Sequence, residues 1–588
     1  MDPNDKSRPH LQVPPPNLVP RLMFKPGAGA TRRTALVRHN VESTYVVPGD
    51  WPSDGSTWFH DGVAPSTGSK ANELIEGQET FAAMLAAMRT ATEPGHFIVL
   101  LGWALEPKFV LADGKTFLEA VEERASLGVA VRVLTFWGGQ HIDDLNALRK
   151  KSLAPPASGN LDVYANVDTN TRIPVGRQKA RIAGMVLPTL ASWLHLATTL
   201  GSHHQKILVV YGNEGLIGFC GGIDIAEDRL TNLHDVHVRL TGGAAVSLWK
   251  IAEKRWAHAK HGSTAPTPPS ISSLAPASFS PPNPAPQMVR VVQTVGNPDI
   301  KNVSDTLWPA VRSAIQKATR FIYIEEQYFW SLELVKELVD ASKRVKHITI
   351  LLSFEASSEF PAHRHRALRE LQRYGGPGIE QRIGVFALKR ARRNYVHSKM
   401  FVFDDEYAII GSANANNRGY FVDSEVAAGL AEYGWNDLRG TRSGLWSSTE
   451  INFARRLRIR LWSMLLGLPP EEVMDGVGAR VHWDLPLASA LVTPYESINL
   501  RKFLREHPVH QEAFNRWNAE GRLGVEPVEP YQSVPWWQAP YDDWALRDED
   551  VVPISKFPKL TKEDIENLAK LPHDGDMVDP VDPEKQHR

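Results

Sequence analysis

Histidine and lysine stand two positions apart twice in this chain, as His204-Gln205-Lys206 and His397-Ser398-Lys399, with the two histidines 193 residues apart. Each copy runs into an apolar stretch and then a glycine turn. Residues two apart on a β-strand share a face, so each copy would present an imidazole and an ammonium group to one side. Two such pairs brought to a single cleft would supply what cleavage of a phosphodiester demands. These are a nucleophile, an acid for the leaving alcohol, and positive charge around an anionic phosphorus centre. A lone HxK is common by chance, so the inference rests on the duplicated context.

The second copy reads VHSKMFVFDDEYAIIGSANANNRGYFVDSE, which gives HxKxxxxD spacing through Asp404, followed by Gly411, Ser412, Asn414 and Asn416. It resembles the second signature of the phospholipase D superfamily. The first copy, HHQKILVVYGNEGLIGFCGGIDIAEDR, has Tyr211 where that family usually has Asp, and about three extra residues before Gly221-Gly222. YIEEQYFW resembles the YIENQYF segment of true phospholipases D, with Glu326 in place of Asn, and FARRLRIRLWSMLLGL resembles the FARxLRxxLW helix of the same group. The GGID ending of the first copy also sets the chain apart from nuclease and phosphatidyl-transfer branches, where an asparagine pattern is more frequent. The resemblance spans roughly residues 66 to 470.

The resemblance implies an α/β fold of two similar halves, packed about a pseudo-twofold with the active site at their interface. It implies that His204 attacks phosphorus to give a phosphohistidine, while His397 protonates the leaving group and later activates water. Lys206 and Lys399 would hold the nonbridging oxygens, an arrangement that requires no cofactor, with calcium stimulation left open. A nucleophilic histidine needs its other ring nitrogen oriented and its imidazolium stabilised, so each should have a carboxylate partner. Asp235 in HDVHVRL lies 31 residues after His204 and resembles the family's RDxHVRL segment; Glu425 in DSE lies 28 residues after His397. Asp404 completes the catalytic set and is expected to brace its own half. Ser412, Asn414, Gly222, Asp224 and Glu326 are the expected substrate-binding positions.

The elements that must carry these residues repeat too. Phe81, Met84, Leu85 and Met88 have helical spacing, followed by Pro94-Gly95 and the strand HFIVLLGW. Leu307, Val311, Ile315 and Ala318 have helical spacing, followed by FIYIEEQYFW. FLEAVEERASLGVAVRVLTFW and LELVKELVDASKRVKHITILLSF each add a helix and a strand. Each half therefore reads helix, strand, helix, strand, HxK strand. The division is an N-terminal extension (1–65), a first half (66–261), a Pro/Ser-rich linker (262–287), a second half (288–470) and a C-terminal extension (471–588).

With 588 residues, 42% hydrophobic and 23% charged, the composition is that of an ordinary globular protein, and a formal net charge of −1 offers nucleic acid no global attraction. The lone Cys220 excludes an internal disulfide framework and a multi-cysteine zinc site. The first residues lack the basic start and apolar core of a Sec signal peptide, so the chain is expected to be cytoplasmic as made, or exported without a cleavable signal. IAGMVLPTLASWLHLATTL reads as a buried helix or as a lid at a lipid surface, Pro188 and His195 disfavouring a membrane span. LKRARRN, just before His397, reads by default as a solvated face, and it could also attract an anionic lipid surface. Trp536, Trp537 and Trp544 are expected to pack on the catalytic body.

The expected activity is hydrolysis of the distal phosphodiester of glycerophospholipids, with transphosphatidylation where an alcohol replaces water; the partner is a bilayer, contacted peripherally. Two alternatives stand beside it: a superfamily nuclease or phosphodiesterase, and a catalytically inactive lipid-binding module whose one support is Tyr211. The chain also resembles bacterial effectors delivered by type VI secretion, for which a restraining immunity or inhibitor protein would be needed.

Overall fold

A computed structural model describes residues 58–59, 65–136, 161–166, 203–231, 233–259, 266–268, 287–295, 300, 303, 305–353, 361–389, 395–421, 423–432 and 452–495. The apolar segment at 183–200, the basic residues 390–393 and the tryptophans beyond 530 lie outside them.

The first half contributes β1 (Ser66–Ile75), β2 (Phe97–Gly102), β3 (Ala130–Phe136), β4 (Leu161–Asn166), β5 (Ile207–Gly212), β6 (Gly215–Gly221), β7 (Leu233–His234) and β8 (Val236–Thr241). The second contributes β9 (Gln287–Thr294), β10 (Phe321–Glu326), β11 (His347–Leu352), β12 (Ile383–Leu388), β13 (Tyr395–Val396), β14 (Lys399–Phe403), β15 (Tyr407–Gly411), β16 (Glu425–Glu432) and β17 (Val492–Pro494). All but β7 and β13 join one fifteen-stranded sheet. Its centre is the antiparallel pair β1 and β9 (Ser66↔Val289, Ser69↔Gln287). Outward from that seam the order is β8, β6, β5, β2, β3, β4 on one side and β16, β15, β14, β10, β11, β12 on the other. The two orders are equivalent strand for strand, which is the pseudo-twofold written into hydrogen bonds.

Both faces of the sheet are covered, which is why β2, β5, β10 and β11 are nearly continuous apolar runs. The first helices are α1 (Glu76–Arg89) and α2 (Phe117–Ser126); Phe81, Met84, Leu85 and Met88 of α1 are buried along one stripe, and a Thr116–Glu119 capping box starts α2. Residues of both halves share one further core, built around α3 (Gly243–Ala259) and, after α4 (Leu307–Lys317), α5 (Leu332–Ala341) and α6 (Pro361–Gly375), around α7 (Phe453–Leu466). The core on the opposite face of the second half draws on α4, α5 and α6. No helix among the described residues is long and apolar enough to cross a membrane.

Two segments placed in the extensions take part in these cores. Val492–Pro494 pairs with β12, and Trp483 is fully buried against Trp462, Tyr323 and Phe386. Trp58 stacks on Tyr407 with ring centroids 5.7 Å apart and donates its Nε1–H to Glu406.

Candidate active site

Two short pairings across the interface bring the HxK segments together. β13 pairs with β7 in parallel, and the amide of His397 donates to the carbonyl of His234 at 2.8 Å. The equivalent contact is a bridge from His203 to Ser424, with the amide of His204 donating to the Ser424 carbonyl at 3.0 Å. Each HxK segment is therefore seated on the residue of the other half that immediately precedes a carboxylate, His234 before Asp235 and Ser424 before Glu425.

That seating exchanges the expected partners. His204 Nδ1 lies 2.9 Å from Glu425 Oε1, and His397 Nδ1 lies 2.7 Å from Asp235 Oδ2, so each histidine is oriented by a carboxylate from the opposite half. All four side chains are buried. With Nδ1 donating to carboxylate, the ring tautomer is set and Nε2 is the nitrogen that can attack phosphorus or carry a proton to a leaving group.

The lysines flank this pair. Lys206 Nζ donates to the carbonyl of His204 and sits 3.2 Å from Asp224 Oδ2. Lys399 Nζ donates to the carbonyl of His397 and, at 2.7 Å, to Gln327 Oε1. Glu326 is the cross-strand neighbour of Lys399 and accepts from the amide of Gln327. Burial together with Lys206 pulls the Lys399 ammonium down to about 7, against the attraction of Asp235 and Glu326, and burial pushes Glu326 up to about 8. Burial, then Lys399, Arg229, Lys206 and His204, hold His397 well below its ordinary range. Burial raises Asp235 to about 6 and Glu425 well above the carboxylate range.

The expected substrate contacts mostly serve the catalytic groups themselves. Ser412 Oγ donates to Glu425, and Asp224 Oδ1 accepts from the amides of Trp103 and Ala104 at 2.9 and 3.3 Å. Gly222 makes room: a Cβ there would stand 2.2 Å from Asp235 Oδ1. Asn414 is buried, and among the described residues its Oδ1 accepts no hydrogen bond.

Asp404 is placed elsewhere. Its carboxylate accepts from the amides of Thr319, Arg320 and Phe321 at 2.7, 2.8 and 2.8 Å, capping the start of β10. Five residues of strand at about 3.3 Å each put it roughly 17 Å beyond Lys399. It braces the second half and is not among the groups around the histidines. Tyr211, its counterpart, stacks on Phe97 at 5.6 Å, while Asn213 and His96 tie down the segment before β2 through Thr90 and Thr92. A different brace thus occupies the position far from the chemistry, and Tyr211 no longer argues for an inactive module.

Sequence reasoning missed Gln327 and Trp103, whose ring meets His204 edge-on at 6.2 Å. It also missed His234, although the HD dipeptide was in view; nothing local distinguishes it from a surface histidine. No group of three or more metal-ligating side chains occurs among the described residues.

Residues 311–431 match the family model described as "Cardiolipin synthase, PLD-like domain". Over this stretch the chain carries a phospholipase D-like domain. It is 24% identical to Cardiolipin synthase A of Pseudomonas putida (strain GB-1) over 364 residues, 60% of this chain and 63% of that one. It is 23% identical to Phospholipase D alpha 4 of Arabidopsis thaliana over 482 residues, 60% of this chain and 61% of the relative. The chain thus spans less than two thirds of the length of these relatives. A crystal structure of phosphatidylserine synthase from Haemophilus influenzae Rd KW20 overlays with a TM-score of 0.43 and 13% identity, over 71% of this chain and 94% of that one.

Proposed function

We propose that this protein is a phospholipase D-type enzyme that cleaves the distal phosphodiester of glycerophospholipids through a phosphohistidine on His204. The observation that carries the reading is the exchanged pair His204–Glu425 and His397–Asp235, flanked by Lys206 and Lys399.

His204 Nε2 forms a bond to phosphorus, the bond to the head-group oxygen breaks, and His397 Nε2–H gives that oxygen its proton. The imidazolium of phospho-His204 is stabilised by Glu425, as the developing nonbridging charge is by Lys206 and Lys399. Neutral His397 then takes a proton from the acceptor, whose oxygen bonds to phosphorus as the bond to His204 breaks. Water as acceptor gives phosphatidic acid; an alcohol gives a transferred phosphatidyl group. Burial and the cations around His397 hold its proton affinity down, and a phosphodiester bringing negative charge between the lysines raises it.

The cardiolipin synthases among the relatives support a second acceptor, the free hydroxyl of another phospholipid. The test is incubation with phosphatidylglycerol and phosphatidylethanolamine vesicles in EDTA, following phosphatidic acid, free head group and doubly acylated products. Phosphatidic acid lost on His204→Ala supports hydrolysis; head group released without phosphatidic acid supports transfer. Release unchanged by His204→Ala would refute both.

A further inference from the structure

Behind Asp235 lies a buried cluster that the reaction scheme does not use. His234 Nδ1 is 2.6 Å from Glu76 Oε1, and its Nε2 is 2.9 Å from Glu325 Oε2. His234 and Glu325 are wholly buried and Glu76 nearly so. With both carboxylates ionised, both ring nitrogens donate and the ring is an imidazolium; burial raises Glu76 against this, while His234 holds Glu325 below its ordinary value despite burial. Its surroundings agree, Glu325 and Glu76 raising its proton affinity well above the ordinary histidine range against the cost of burial.

The two carboxylates come from different halves. Glu325 is the penultimate residue of β10, where Tyr323 also donates to it. Glu76 opens α1 at φ +67°, a left-handed conformation rare for a glutamate, and its amide donates to the carbonyl of Asp235 at 2.9 Å. Strain of this kind persists only where the surroundings impose it, and here it delivers the carboxylate to His234. The other charged groups facing the cluster are Glu79 beside Glu76 and Asp235 itself.

The clamp sits where it can control His397. The His234 carbonyl accepts from the amide of His397 at 2.8 Å and from Ser398 Oγ at 3.3 Å. The next residue, Asp235, orients the His397 ring. The other half is built differently: Ser424 stands where His234 does, and Arg255 donates to its hydroxyl. Only one of the two histidines thus rests on a clamped imidazolium.

We propose that His234, held between Glu76 and Glu325, is a positioning residue for His397, fixing the segment that supplies both the carbonyl on its amide and the carboxylate on its Nδ1. It governs the proton-donating step without touching substrate. The inference rests on the role of His397 as acid in the proposed function. The positive ring also favours the ionised form of Asp235, whose charge orients His397. The clamp is charged below the His234 pKa and is lost as pH rises through it.

The test compares wild type with His234→Asn and the milder Glu325→Gln on phosphatidylethanolamine, whose alcohol must be protonated on leaving, and on phosphatidyl-p-nitrophenol, whose phenolate need not be. The expected result is a fall in kcat of about 100-fold on the first and under about threefold on the second, with KM little changed. Nitrogen-15 NMR of the histidine rings provides a readout independent of turnover. Wild-type His234 should stay doubly protonated through neutral pH, Glu325→Gln should shift its titration downward, and His234→Asn should alter the His397 Nδ1–H signal. Equal slowing on both substrates with an unaltered His397 signal, or a wild-type His234 that titrates near 6.5, would overturn the proposal. Wild type inactive on both lipids would instead count against the proposed function, leaving the ring signals to decide on the clamp.

Discussion

Gly222→Ala is the smallest change that should disable the proton donor. The backbone of Gly222 does not require glycine, since its φ is not among the positive values; space does. An added methyl carbon would stand 2.2 Å from Asp235 Oδ1, 2.6 Å from Oδ2 and 2.7 Å from Cγ. Ordinary contact needs more than about 3 Å, so the carboxylate must shift by roughly 1 Å or the methyl must push β6 from β8. Asp235 is buried and bonded to His397 at 2.7 Å and to the amide of Val236 at 2.8 Å, so it cannot retreat without loosening one of these. A weakened buried, charge-assisted bond corresponds to about 3 kcal/mol, or roughly 100-fold in rate at 1.4 kcal/mol per decade. Overpacking should cost about 1–3 kcal/mol of stability besides. The assay is kcat and KM on phosphatidylethanolamine, normalised to folded protein by denaturant titration. We expect kcat to fall about 100-fold with KM nearly constant, while Ser412→Ala, which spares Asp235, acts through Glu425 and the nucleophile instead. A Gly222→Ala enzyme within about threefold of wild type would refute the argument that this glycine exists to seat Asp235.

Two further outcomes follow from the site. Asp404→Asn should destabilise the protein by about 2–4 kcal/mol, because the amide can no longer satisfy all three backbone donors at 319–321, yet leave activity per folded molecule near wild type; lost kcat at unchanged stability would place Asp404 in the chemistry. Because Lys399 is held down to about 7 in the free enzyme, its charge is lost as pH rises through that value, so kcat/KM should fall on an alkaline limb near pH 7. The limb in kcat should lie higher, since bound phosphate favours the ammonium; coincident limbs in both profiles would contradict this assignment.

Much of the architecture was legible in the chain because it depends on local patterns. Strand type, the helical stripe of Phe81, Met84, Leu85 and Met88, and the repeated order around two HxK strands all follow from periodicity and short motifs. The same reading left Trp58 and Trp483 in extensions, since nothing in a sequence marks which surface an isolated tryptophan will find.

The sequence by itself supplied the groups proposed to react: two histidines, two lysines, two carboxylates at similar spacings, and the glycine and serine beside them. Only the tertiary structure decided who serves whom. Spacing along the chain suggested that each histidine takes the carboxylate of its own half, whereas the pairing of β7 with β13 and of His203 with Ser424 seats each on the other's. The reason is physical: strand pairing across a pseudo-twofold is set by the packing of whole halves along β1 and β9, and no segment of either half encodes it alone. The Glu76–His234–Glu325 clamp is the same lesson carried further, three residues 158 and 91 positions apart that meet only when the halves close.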